Sequence, residues 1–235
     1  MRGINQYQEV LEFINPPTQI TSIGQMRIII DENKHLTMIE KSFFHDLFSL
    51  VVKIVEQDVS GDVVLIGVYK GGMALYLKSL LECLGVYKKF VLIDSFDGFN
   101  SDYLNNEDIS SINNFTENGK FRNQPTVDGV YSLFKSFKLE KNVQIVKSYI
   151  ENIESVDKLV SSVALLHIDV DVYGATYSSL FKFTPLLSSS AVVIVDDYYV
   201  PVFSCRKAVD NFLKDFSIKV NPKKIGKYAC FWNNY

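Results

Sequence analysis

Cysteine is scarce: Cys83, Cys205 and Cys230 are odd in number and irregularly spaced. A disulfide framework or a zinc cluster is therefore not expected, and a reducing cytoplasm fits. No apolar run approaches membrane-spanning length. The amino terminus carries Asn5, Gln6, Gln8 and Glu9 where a signal peptide would need an apolar core, so a soluble protein without a membrane partner is expected. An excess of positive charge is lacking too. The formal net charge of -3 leaves no broad basic surface, which argues against nucleic acid and in favour of small-molecule partners. Repeats and low-complexity segments are also missing. What is present is an ordinary globular composition, 47% hydrophobic and 22% charged, enough for one large core in a single domain.

Along the chain, short apolar runs alternate with helical periodicity. Residues 1–36 form an amino-terminal arm in which Pro16-Pro17 rules out a continuous helix. From Thr37 the pattern turns helical, with Phe43, Phe44, Leu47, Leu50, Val51 and Ile54 on one face. Strands are predicted at 63–66, 90–93, 143–146, 163–168 and 191–195, with helices at 73–84, 126–137, 150–160, 174–187 and 204–216. Residues 218–220 and 228–232 read as a closing pair, the last strand entering antiparallel. Such alternation predicts an α/β fold, a doubly wound and mostly parallel sheet of Rossmann-like class. The polar segment 100–124 is long for a connection and reads as a lid within the 37–235 domain.

Chemistry concentrates at predicted strand ends. The 163–168 run leads into Asp169-Val170-Asp171, and the 191–195 run into Asp196-Asp197. Neighbouring parallel strands would gather these carboxylates at one sheet edge, where they repel one another unless a cation or hydrogen-bond donors compensate. The constellation suits a hard ion such as Mg²⁺, against a plainer reading in which Asp196-Asp197 caps a loop and Asp169 and Asp171 face solvent. Gly67-Val68-Tyr69-Lys70-Gly71-Gly72 forms a strand, glycine-turn, helix unit that serves either as a structural turn or as a ligand loop. It lacks the G-x-G-x-x-G dinucleotide spacing. Asp94, ending the second strand, is placed either to accept two ribose hydroxyls or to cap the following turn.

Taken in order, Gly67-Val68-Tyr69-Lys70-Gly71-Gly72, Asp94-Ser95-Phe96-Asp97-Gly98-Phe99, Ile168-Asp169-Val170-Asp171-Val172-Tyr173, Val195-Asp196-Asp197-Tyr198 and Cys205-Arg206-Lys207-Ala208-Val209 resemble the macrocin O-methyltransferase (TylF/MycF-type) family. The resemblance implies a class I, S-adenosylmethionine- and Mg²⁺-dependent sugar O-methyltransferase of natural product biosynthesis. It places Thr37, Met38, Gly67, Val68, Tyr69, Gly71, Gly72, Asp94, Ser95, Phe96, Gly98 and Tyr149 at the cofactor. Asp169, Asp196 and Asp197 match the family's metal ligands, and Asp169 its proposed general base. One departure is Leu65, where the family carries an acidic residue that would meet the cofactor's ammonium group; Tyr69-Lys70 likewise replaces Trp-Arg.

The expected acceptor is a small sugar-containing molecule, and the expected assembly is a homodimer or higher homo-oligomer, suggested by the unplaced arm. His35, beside Thr37, is a candidate for the acceptor pocket, and His167 is a candidate base, against the alternative of a core histidine bonded to backbone. Two other readings compete: a nicotinamide-dependent oxidoreductase on a similar sheet, disfavoured by the missing fingerprint, and a binding protein without turnover, motivated by Leu65.

Overall fold

In the computed structural model, residues 36–112 and 125–234 are described. The first helix, α1 (Lys41–Glu56), turns Phe43, Leu47, Val51 and Ile54 into the core and leaves His45, Asp46, Lys53 and Glu56 exposed, as its 3.6-residue period requires. It starts four residues later than Thr37 because Glu40 is its N-cap: the Glu40 carboxylate accepts the Ser42 N–H at 3.0 Å. Thr37 and Met38 thus lie in a non-helical segment ahead of the helix.

The strands β1 (Asp62–Ile66), β2 (Phe90–Asp94), β3 (Val143–Lys147), β4 (Val163–Ile168) and β5 (Leu187–Val195) are mutually parallel. β6 (Lys223–Ile225) and β7 (Ala229–Asn233) complete a seven-stranded sheet of order β3-β2-β1-β4-β5-β7-β6, with β7 antiparallel to both neighbours. Helices α2 (Gly72–Cys83), α3 (Asn106–Ile112), α4 (Val127–Ser136), α5 (Tyr173–Phe183) and α6 (Cys205–Asp215) fill the connections. Alternation along each strand feeds two cores. Val63 and Leu65 pack with α1, α2 and α4, while Val64 and Ile66 pack with α5 and α6. Strand order reverses between β1 and β4, and at such a switch point the connecting loops part and leave a crevice at the carboxyl ends of the strands.

Two expected elements do not form. Over 150–160 only a 3₁₀ turn, Ile150–Asn152, appears. The apolar spacing is helical, but Lys182 Nζ takes the carbonyls of Glu151 and Ile153, and Lys89 Nζ takes that of Leu159, so lysine ammonium groups replace helical N–H donors. Residues 218–220 are not a strand either, since the Ile218 N–H is spent on the Leu213 carbonyl at the end of α6. The strand that does form, β6, exposes Lys223 and Lys224; charge on an edge strand hides it from apolar patterning. Helix α5 stops at Phe183, and Pro185 sits in the 3₁₀ turn beyond it.

Candidate active site

The carboxyl ends of β1, β2, β4 and β5 open into a cleft of about 370 Å³. Its floor is the glycine turn after β1. Gly67 (φ +82°) runs so close to the next loop that a Cβ there would lie 1.8 Å from the Asp169 carbonyl oxygen. That approach is locked by Asp169 N–H donating to the Ile66 carbonyl at 2.8 Å. Only glycine satisfies both the left-handed backbone and the contact.

Asp94 ties the turn down. One carboxylate oxygen accepts the N–H groups of Val68 (2.7 Å) and Tyr69 (3.0 Å), and the other accepts that of Phe96 (2.7 Å). Each carboxylate oxygen has two acceptor sites, so the second oxygen keeps one for a ligand hydroxyl. Tyr69 (φ 49°), Phe96 (50°), Asp171 (60°) and Asp197 (55°) all adopt left-handed backbone around this edge, strain that side chains and loops must hold in place.

Of the residues expected at the cofactor, Thr37, Met38, Gly67, Val68, Tyr69, Asp94, Ser95, Gly98 and Tyr149 line the cleft. Gly71, Gly72 and Phe96 sit behind it. Gly71 faces Val130 and Leu133, Gly72 abuts the Leu36 backbone, and the Phe96 ring joins the core. Sequence reasoning missed Glu40, Phe43, Phe99, Glu151, Phe203 and Tyr228, which also line the cleft. Tyr228 arrives on the β6–β7 turn, held there by the Lys227 N–H donating to Glu40 and the Tyr199 N–H donating to the Tyr228 carbonyl. Neither contact has a local sequence signal.

The four acidic residues after β4 and β5 do converge. Asp169, Asp171 and Asp197 offer carboxylate oxygens within 4.8 Å of one another, and Asp169 and Asp196 do the same together with a ring nitrogen of His167. Asp169 is common to both groups. Burial holds the Asp169 carboxyl well above the usual carboxylate range, reinforced by Asp196, Asp171, Asp197 and Asp94. Burial likewise pushes Asp196 up to about 7, with Asp197 adding to it. Asp197 rises to about 8 through burial and then Asp171, and Asp171 to about 6. A cation at this edge would reverse those shifts, and an oxygen-rich donor set of this kind fits a divalent ion.

His167 lies deeper, 0% exposed, with its ring edge-on to Phe43 at 6.0 Å and neither nitrogen hydrogen-bonded. Burial drives its imidazole down to about 3, so it is neutral. His35 lies outside the described residues.

The described part of the expected lid is anchored rather than open. Asp108 in α3 is 1% exposed and accepts hydrogen bonds from the Ser204 hydroxyl, the Asn105 N–H and the Tyr173 N–H, joining the starts of α5 and α6. Residues 113–124 lie outside the described residues.

Comparison with known proteins places this geometry. The model of the macrocin-O-methyltransferase (TylF) family matches residues 31–234. Mycinamicin III 3''-O-methyltransferase of Micromonospora griseorubida is 25% identical over 201 residues, covering 83% of this chain and 77% of that protein. Demethyldecarbamoylnovobiocin O-methyltransferase of Streptomyces niveus is 25% identical over 213 residues, covering 85% and 76%. Among solved structures, the O-methyltransferase NovP superposes with a TM-score of 0.72 at 23% identity, over 84% of this chain and 81% of its own. The dehydrogenase reading is thereby set aside. With the family model spanning nearly the whole chain over a class I methyltransferase sheet, the protein belongs to the macrocin-O-methyltransferase (TylF) family of S-adenosylmethionine-dependent O-methyltransferases.

Proposed function

We propose that this protein moves the methyl group of S-adenosylmethionine to a hydroxyl of a sugar carried by a small glycosylated metabolite or glycan, at an edge that holds a divalent cation, Mg²⁺ by family resemblance. The observation that carries the reading is the convergence of Asp169, Asp171, Asp196 and Asp197 beside a glycine-floored cleft. The cofactor would lie over the Gly67 turn, its ribose near the free acceptor site of Asp94 and its flanks against Thr37, Met38, Ser95, Gly98 and Tyr149. Asp169, Asp196 and Asp197 would hold the ion. When bound, it would lower the pKa of an acceptor hydroxyl and orient it.

The remaining work belongs to side chains. Asp169 takes the hydroxyl proton as the oxygen forms its bond to the methyl carbon, while the carbon–sulfur bond breaks and S-adenosylhomocysteine leaves. Walls built from Phe43, Phe99 and Tyr228 exclude water and keep the acceptor in line with the sulfonium. The docked α3 would form the fixed base of the proposed lid. Three buried cysteines, none of them in a disulfide, fit a reducing cytoplasm, and a homodimer or higher homo-oligomer is the proposed assembly. Among the described residues no helix is long and apolar enough to cross a membrane.

The test is product formation. Purified protein is incubated with S-adenosylmethionine, a divalent cation and a panel of deoxysugar glycosides, and S-adenosylhomocysteine and methylated product are quantified by mass spectrometry. Turnover that stops with EDTA and returns with Mg²⁺ supports the reading. Undiminished turnover in EDTA removes the ion from it.

A further inference from the structure

His167 is the one fully buried imidazole among the described residues, and its surroundings leave it a single polar direction. Across the β1–β4 pairing its register neighbour is Leu65, which brings no hydrogen-bonding side chain. Phe43 covers the ring on the helix side. Toward the sheet edge, however, one ring nitrogen lies within 4.8 Å of carboxylate oxygens from both Asp169 and Asp196, beyond direct hydrogen-bonding reach of either. An interposed ion bridges such a gap: with bonds of about 2.1 Å to nitrogen and to oxygen it holds its ligands up to about 4.2 Å apart, so the side chains need close on it by no more than about 0.6 Å.

We infer that His167 is a nitrogen ligand of the ion held at this edge, together with Asp169 and Asp196, so that the centre prefers a first-row transition ion of the Mn²⁺ to Zn²⁺ series over Mg²⁺. This rests on the proposal that the edge holds a divalent cation, and it changes that cation's class. An imidazole adds little to a hard, reluctantly dehydrated ion such as Mg²⁺ but contributes a strong bond to a borderline one. Its unpartnered nitrogen gains in coordination what burial has cost it. The outer group, Asp169, Asp171 and Asp197, supplies oxygen donors on the cleft side.

Mn²⁺ is the probe. The full chain, stripped of metal, is titrated with Mn²⁺ and with Mg²⁺ by calorimetry, and the Mn²⁺ complex is examined by pulsed electron paramagnetic resonance. The expected result is Mn²⁺ binding at least about tenfold tighter than Mg²⁺, with nitrogen-14 modulation from directly coordinated imidazole. His167→Phe keeps the ring volume beside Phe43, abolishes that modulation and weakens Mn²⁺ binding by about 10- to 100-fold while leaving Mg²⁺ binding within about threefold. The wild-type spectrum decides the matter even if the variant does not fold. Saturable Mn²⁺ binding without directly coordinated nitrogen, as an interposed water would give, overturns the role of His167 and leaves an all-oxygen site. Failure of both ions to bind overturns the cation reading itself.

Discussion

The carboxylates at the ends of β2 and β4 face one cleft and are held in opposite ways. Asp94 is surrounded by donors: three backbone N–H groups at 2.7–3.0 Å converge on it and leave one acceptor site open. Asp169 is surrounded by acceptors, with Asp171, Asp196 and Asp197 all raising its pKa on top of its burial. The first arrangement balances the Asp94 charge and stabilises the glycine turn whatever is bound. The second carries unbalanced negative charge and is completed only by a cation or by protons. Such a division suits methyl transfer. Under the proposed function the rigid cradle would position the donor, and the frustrated cluster would keep its electrostatic gain for the ion and the acceptor proton.

Four experiments sharpen or break this contrast. The largest effect is expected for Asp169→Asn, which should lower turnover by about 10³-fold while S-adenosylmethionine affinity by calorimetry stays within about threefold. Turnover within tenfold of wild type would remove Asp169 as the base. Next comes Gly67→Ala, at the one position shared by both sites. With the Asp169 carbonyl 1.8 Å from the new Cβ, the variant should lose about 3 kcal/mol or more in urea unfolding, or fail to accumulate.

Third, Asp94→Asn exchanges a charged acceptor for an amide facing the same three N–H groups. A cost of about 1.5–3 kcal/mol is expected, whereas Asp169→Asn, which relieves repulsion, should leave the metal-free protein at least as stable as wild type. Equal destabilisation by both would erase the distinction drawn between the sites.

The smallest effect is on pH dependence. Folding raises Asp171 to about 6, Asp196 to about 7 and Asp197 to about 8, from an ordinary 3.8. A raised carboxyl binds its proton more tightly in the folded state, so this contribution to stability is fully present below the unfolded value and is lost as the pH climbs through 6 to 8. The melting temperature of metal-free protein should therefore fall across that window by a few degrees. Saturating divalent cation should flatten the decline. A melting curve independent of pH in the absence of metal would contradict the crowding of these carboxylates.

The parallel core was legible because buried strands announce themselves as short apolar runs, and all five were anticipated to within a few residues at each end. The candidate cleft was legible where its lining residues follow directly on such a run, as Gly67, Asp94, Asp169 and Asp196 do. Where backbone groups are satisfied by distant side chains the pattern misled. Ile150, Val156 and Val160 keep a helical spacing, yet lysines from elsewhere take the carbonyls around them. The edge strand β6 escaped notice because its lysines serve solubility rather than burial.

By itself the sequence determined the alternation of strand and helix, the run of motifs that marks the family and the stock of carboxylates, since these depend on local periodicity and on order along the chain. Tertiary structure alone decided that Asp169 stands in two groups at once, that His167 meets them with no other partner, and that Tyr228 closes the wall. Those outcomes depend on strand register and on contacts across more than a hundred residues, distances that no local pattern encodes.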